Sequence, residues 1–452
     1  MGKSGLILGS LFTLTNLLLA ACTVAVLPPH PIEVAGAGNS GFLDMDIGPD
    51  GMKHIVWIHP DTEELFYYYT FFGEERLTLS EQLEEGRYYI PNVAVAGNNT
   101  VYIVWRRSPT DDISTGIHEY TSFIPITPPL AGLVPRFMVD PLDGPGQVGS
   151  MAPKVVARGE DVYAVYDRLE TTDTVYYKQL AGGTSQGIVH SGICSSCFVM
   201  DTNLAIDSAG YLHVAFQVIT DTISTVVYNS NATVDGSGNM NQKVTFSKEA
   251  LVHFEPSLAV YGSGSQERVS LAYTYYDEFY DKDRLFLFNC TAAGCTDKVT
   301  QEVDYSAYAN ENVYRIASVG IGNIVYLTFF ASGPYYRILL YTYSSTPTLA
   351  HIASVNSALV WDLFVVNGGG LAVVGWDFEA PHDVLDAFMY VPGRGVSQVF
   401  DSIKGHPGHM DMVGAHGYIA GVISDQRSAT NTRMVPWLIT HGYPVYLPVI
   451  RR

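Results

Sequence analysis

With 452 residues, 47% of them hydrophobic, the chain has ample material for a large core. Its 25 Lys and Arg stand against 45 Asp and Glu, a net charge of −20 that argues against nucleic acid or anionic lipid headgroups as partners of the folded part. The 30 Tyr and 20 Phe suit pleated, half-buried surfaces, and helical periodicity is scarce beyond the N-terminus, so an all-β fold is expected.

The chain opens with a short positive segment at Lys3, a mostly apolar run from Leu6 to Leu19, and the small-residue sequence Leu19-Ala20-Ala21-Cys22. This resembles the lipobox of bacterial lipoproteins. The resemblance implies that residues 1–21 are a signal peptide removed in the cell and that Cys22 carries the lipid. A plain secretory signal or an uncleaved anchor is the alternative; Thr13, Thr15 and Asn16 make the run a poor permanent span. Residues 22–40, with Pro28, Pro29 and Pro31, read as an extended tether. Ile32 to Val34 has a second reading, as an edge strand completing a ring of sheets.

From residue 41 to 440 one pattern returns. It is clearest in Asn203 to Gln217, where an apolar strand meets the turn Asp207-Ser-Ala-Gly210 and a second strand, Tyr211 to Phe216, follows. Asp44 to Gly51 leads in the same way into His54-Ile-Val-Trp57, Pro91 to Gly97 into Val101-Tyr-Ile-Val-Trp105, and Pro153 to Gly159 into Val162-Tyr-Ala-Val-Tyr166. Further copies start at Pro256, Arg315, Asp362 and Asp411, and most are followed by a third strand such as Leu65-Phe-Tyr-Tyr-Tyr69. A period of roughly 50 residues with three or four strands per unit is that of propeller blades, and a β-propeller of seven or eight blades is expected. A tandem of sandwiches or a β-helix fits the period less well. Residues 441–452 form a short tail containing Tyr446-Leu-Pro448.

The unit Pro-x-Φ-Ala-Φ-Asp-x-x-Gly-x-Φ-His/Tyr-Φ-Φ-Trp, with its following Tyr-Tyr strand, resembles the repeats of the sialidase-like, BNR-type propeller superfamily. The resemblance implies a propeller fold and, in its enzymes, glycoside hydrolysis. Asp207-Ser-Ala-Gly210 keeps the turn of the family's Asp box, while the full Ser-x-Asp-x-Gly-x-Thr-Trp box and a Phe-Arg-Ile-Pro motif are absent from this chain.

Four further cysteines form two close pairs, Cys194 with Cys197 and Cys290 with Cys295. In an exported chain two local disulfides are the simplest reading, with a redox Cys-x-x-Cys or a four-thiolate zinc site as alternatives.

Charged and aromatic residues recur just after the second strand of each unit, where a propeller gathers loops at one mouth. Arg106, Asp167, Arg168, Tyr275, Tyr335, Asp377, Asp425 and Arg427 are the ligand-binding candidates, and Asp377, Glu278 and Tyr275 the candidates for catalysis. Solvated loops with salt bridges between neighbouring units are the plainer reading. No cofactor is expected beyond a structural divalent cation, for which Asp44, Asp46 and Asp50, or Asp277, Asp281 and Asp283, are candidate oxygen ligands. His406-Pro-Gly-His409 reads as a polar turn. The long connections 121–152 and 229–251 read as recognition loops or disordered inserts. Together these features point to a propeller anchored by lipid outside the cytoplasm that binds a glycan or a protein without catalysis. A sialidase-like glycoside hydrolase is the alternative, and a structural or assembly lipoprotein the third reading.

Overall fold

A computed structural model describes residues 25–27, 32–33 and, apart from a number of interstrand connections, 43–440; beyond residue 344 it describes mainly the backbone. Among the described residues the regular structure is strands and one short 3-10 turn, Gly264–Gln266. Antiparallel sheets follow one another along the chain, built from consecutive strands except in the last sheet, which also takes in the first two strands. The innermost strands are Leu43–Ile47, Arg87–Val95, Lys154–Arg158, Phe198–Ile206, Ser257–Tyr261, Val313–Ile321, Phe364–Asn367 and Pro407–Ala415. Each lies against the next, and the last lies against the first, so the sheets close a ring and the fold is a β-propeller.

The ring closes because no sheet can bury both of its faces alone. Between the first two sheets Val56, Tyr67 and Tyr69 pack on Val93, Ile103 and Trp105. Val165 and Tyr177 pack on Val214 and Phe216, and Leu287 on Leu327 and Phe329, in later seams. Met45, Ile47 and Trp57 meet Val422 of the last sheet. Among the described residues, apolar clusters thus sit between neighbouring sheets.

Polar side chains staple the innermost strands. Asp44 Oδ2 accepts Val93 N–H at 2.6 Å, Asp46 Oδ2 accepts Val95 N–H at 2.7 Å, and Asn92 Oδ1 accepts Val155 N–H at 2.6 Å. The bonds advance together, 44 to 93 and 46 to 95, so these neighbouring strands run in the same direction. Asp411 Oδ2 accepts Met45 N–H at 2.6 Å and joins the last innermost strand to the first. Asp44 and Asp46, read from sequence as cation ligands, each spend an oxygen on this stapling, and Asp50 Oδ1 accepts Met52 N–H in its own turn at 3.0 Å. Burial raises the Asp44 carboxyl above its ordinary range and Asp46 to about 7. Among the described residues no group of three or more His, Cys, Asp or Glu is placed to hold a metal ion.

The turns joining first to second strands interlock on one side, here called the turn face. Gly97 N–H donates to Gly159 C=O, Gly262 N–H to Gly322 C=O, and Arg158 reaches both Ile206 C=O at 2.7 Å and Glu267 at 3.1 Å. Within the Asp207 turn, Oδ1 accepts the N–H groups of Ala209 and Tyr211, and Oδ2 lies 3.3 Å from His213 Nε2. Gly210 has φ +83°, which a side chain would resist. At the opposite side, the loop face, innermost strands bulge at Tyr89/Asn92, Met200/Asn203 and Tyr314/Ile316. Ile90, Asp201 and Arg315 take positive φ there, and a β-branched residue in that region is strained.

Both disulfides read from sequence are present, with Cα separations of 5.2 Å for Cys194–Cys197 and 4.7 Å for Cys290–Cys295. Within the stretch read as a tether, Ala25–Leu27 and Ile32–Glu33 pair with Asn431–Thr440, so the last sheet carries strands from both ends of the chain. Cys22, residues 1–21 and the tail 441–452 lie outside the described residues. No helix of the described residues is long and apolar enough to cross a membrane.

Candidate functional site

Three of the sequence candidates meet in one seam of the loop face. Arg106 ends the strand Val101–Ser108, and Asp167 and Arg168 end the next sheet's strand Asp161–Leu169. Two described stretches of the long connection 121–152 are built into this seam. Its Val139–Pro141 pairs with Thr115–Phe123, and Gly146–Gln147 pairs with both Thr115–Gly116 and Leu169, welding two sheets into one of nine strands. The physical reason is backbone pairing: the exposed edge of a third strand offers unpaired N–H and C=O groups that a passing segment can satisfy. In the second long connection, Val244–Lys248 pairs as a fourth strand with Ser224–Ser230.

Beneath that strap lies a buried polar chain. Cross-strand register puts His118 opposite Arg106 and Glu119 opposite Trp105. Glu119 takes a forked pair of bonds from Arg107, at 3.0 and 2.7 Å, and one from Trp105 Nε1 at 3.0 Å. His118 holds Asp143 twice, through its backbone N–H and through Nδ1, each at 2.9 Å. His118 Nε2 lies 3.9 Å from Asp167 Oδ1. Asp167 Oδ2 accepts Met151 N–H at 2.7 Å. Gly149 leaves space for both acids: a Cβ there would sit 2.1 Å from Asp167 Oδ2 and 2.5 Å from Asp173 Oδ2. Arg106 donates to Gly149 C=O at 3.3 Å. Burial, then the neighbouring Asp173, pushes the Asp167 carboxyl well above its ordinary range, and burial also raises Asp173. His118 Nε2, Asp167 Oδ1 and Asp173 Oδ1 make no hydrogen bond. Asp167 and Asp173 are 0% and 2% exposed.

A second feature of the loop face is open. A cleft of about 300 Å³ lies where Lys282–Thr291 begins and residues 302–306 end the same sheet. Lys282, Asp283, Arg284, Glu302, Asp304 and Tyr305 are among the residues that line it. Arg284 Nε donates to Glu302 at 2.8 Å. The Tyr305 hydroxyl donates to Asp283 C=O, and Asp283 Oδ2 accepts Val313 N–H at 3.1 Å. Burial raises the Asp283 carboxyl, whereas the Ser306 hydroxyl and N–H, at 2.7 and 3.0 Å, hold Asp304 below its ordinary range. The cleft therefore offers donors and acceptors of both signs on a scaffold already fixed by hydrogen bonds.

Other candidates are placed by backbone alone. Tyr275 pairs with Arg284, Asp377 with Val384 and Asp425 with Arg433, and Arg427 sits at a bulge of Tyr418–Ser428, all at loop-face strand ends. The side chains of these four, and the whole of Glu278 and Tyr335, lie outside the described residues. Sequence reasoning missed His118, Asp143, Asp173 and the 302–306 segment. The signal for His118 was the hairpin register itself, which sets it opposite Arg106.

No family model matches the chain, and no curated protein does. Among solved structures it is similar to the polysaccharide lyase Uly1, at 9% identity over 92% of this chain and 100% of that one, TM-score 0.46. It is similar also to the Penicillium chrysogenum alpha-L-arabinanase, at 11% identity over 91% and 98%, TM-score 0.41. The β-propeller domain of the Trilobed protease from Pyrococcus furiosus matches at 10% identity over 80% and 97%, TM-score 0.41.

Proposed function

We propose that this chain is a lipid-anchored, extracytoplasmic propeller of eight blades that binds a glycan at its loop face without turning it over. The blade number rests on the circuit of innermost strands closed by Asp411 and Met45. The anchor rests on Leu19-Ala-Ala-Cys22, and the oxidising address is supported by the two disulfides.

The observation that carries the binding reading is the contrast within the loop face. The cleft at Lys282, Arg284, Glu302 and Asp304 is open and lined by hydrogen-bonding groups, as sugar hydroxyls require. The acids Asp167 and Asp173 are buried, and their carboxyl groups both crowd the place a Cβ on Gly149 would take, which leaves no room for a sugar between them. A sialidase-like glycoside hydrolase remains the second reading, through Asp377, Glu278 and Tyr275. A structural or assembly lipoprotein is the third, and protein ligands replace glycans if no sugar binds.

The test is a glycan array run beside a panel of fluorogenic glycosides on the mature chain. Saturable glycan binding without turnover, weakened by Lys282→Ala and Arg284→Ala, is the expected result. Turnover abolished by Asp377→Asn or Glu278→Gln would overturn the binding reading.

A further inference from the structure

We propose that the turn face lies against the membrane, with its exposed apolar side chains in the interfacial layer of the bilayer, so that the loop face points away from the cell. This rests on the Cys22 anchor proposed above. Two independent observations carry it.

The first is where the chain enters. Ala25 pairs with Thr440, which also pairs with Tyr418, the residue that begins its strand just after the Ala415 turn. Ala25 is therefore at the turn face. Further along, Ile32 pairs with Met434 and Glu33 with Arg433, next to Asp425 at the loop face. The chain climbs the outer edge of the last sheet from one face to the other. Cys22 precedes Ala25 by three residues, a reach of about 10 Å even when fully extended. A lipid on Cys22 is consequently held beside the turn face and cannot reach the loop face across a strand.

The second is which face carries the exposed apolar side chains. Ile124 is 63% exposed and follows Phe123, which pairs with the first residue of its neighbouring strand, Val101, at the turn face. Met138, 74% exposed, precedes Val139, which pairs with Thr121 near the same end. Val234, 43% exposed, lies in the turn after Ser224–Ser230, and Tyr211, 38% exposed, follows the Asp207 turn. Of the large exposed apolar residues among those described, Phe198 and Met200 are the pair toward the loop face. Apolar side chains on the face that carries a lipid anchor add affinity for the interfacial layer. The net charge of −20 offers no polybasic attraction, so the contact depends on apolar burial and not on anionic headgroups.

The experiment uses the intact lipidated chain in phosphatidylcholine vesicles that contain a lipid with a nitroxide at headgroup depth. Native cysteines other than Cys22 are paired, so Ile124→Cys, Val234→Cys and Phe198→Cys each provide a single thiol for a fluorophore. Loss of fluorescence at positions 124 and 234, with position 198 unaffected, is expected. Quenching at 198, or equal quenching at all three on vesicle-bound protein, would overturn the orientation while leaving the anchor intact. If the intact chain floats with vesicles no better than Cys22→Ser, the anchor reading falls and the orientation with it.

Discussion

Asp207 and Asp167 are both buried, on neighbouring sheets and at opposite faces, and they are held in opposite directions. Burial pushes the Asp207 carboxyl up, yet bonds from His213, Tyr211 N–H and Ala209 N–H outweigh it and hold the group below its ordinary range. Asp167 Oδ2 takes the Met151 N–H while Oδ1 has no hydrogen bond, and burial and the neighbouring Asp173 outweigh Met151 N–H and the Arg106 charge and push its carboxyl well above the ordinary range. The difference lies in partners as well as in depth. At the turn face a four-residue loop brings its own donors to the acid, and among the described residues several turns then lock onto the next. At the loop face the partners come from a long connection that satisfies the backbone and leaves side chains under-supplied.

The largest effect should come from breaking the well-supplied member. Asp207→Ala removes the acceptor of two turn N–H groups and the partner of buried His213, and the loss should be about 2–4 kcal/mol. Urea unfolding followed by tyrosine fluorescence measures it. A loss under about 0.5 kcal/mol, the size expected of a surface change, would show that the turn is not what locks that face.

That turn was legible in the sequence because its chemistry is local: Asp, a short polar pair and Gly stand within four residues, flanked by alternating strands. The repeat, the disulfide pairs and the positions of Arg106, Asp167 and Arg168 were legible for the same reason. Asp44 and Asp46 were not, since an inward acid on a strand looks the same whether it meets a cation or the backbone N–H of a strand 49 residues on. His118, Asp143 and Asp173 converge only through register and through a connection whose pairing depends on the edges it passes. The cleft joins residues 282–284 to 302–306, two strand ends that become neighbours only once the sheet forms.

The pH response separates the two acids. A carboxyl raised in the folded state holds a proton that the unfolded chain gives up near its ordinary pKa of about 4, so its contribution is fully present below that value. It is lost as pH rises through the folded pKa, near 7 for Asp46 and higher than ordinary for Asp167. Asp207 has the opposite sign: its stabilisation is present above about 4 and is lost as pH falls through its lowered value. Melting temperatures of Asp167→Asn should therefore fall less between pH 5 and 8 than those of the unsubstituted chain, whereas Asp207→Asn should change the profile only below about pH 4. A parallel fall in Asp167→Asn would mean that Asp167 is ionised in the folded protein.

The smallest effect on stability should come from the open part of the loop face, and it sharpens the comparison most. Arg284 and Glu302 form an exposed pair, with side chains 26% and 40% accessible, and exposed pairs contribute little. Arg284→Ala should shift the unfolding free energy by no more than about 0.5 kcal/mol. If the cleft holds a glycan, the same substitution removes a charged donor from the contact and should weaken binding by roughly tenfold, the loss expected for one hydrogen bond to a charged group. Calorimetric titration with the best ligand from the array, beside a urea unfolding curve, reads both quantities on one preparation. Undiminished affinity would move the binding site to another part of the loop face. A stability loss as large as that of Asp207→Ala would make the Arg284–Glu302 pair a structural lock like those of the turn face, and the contrast between the two faces would no longer hold.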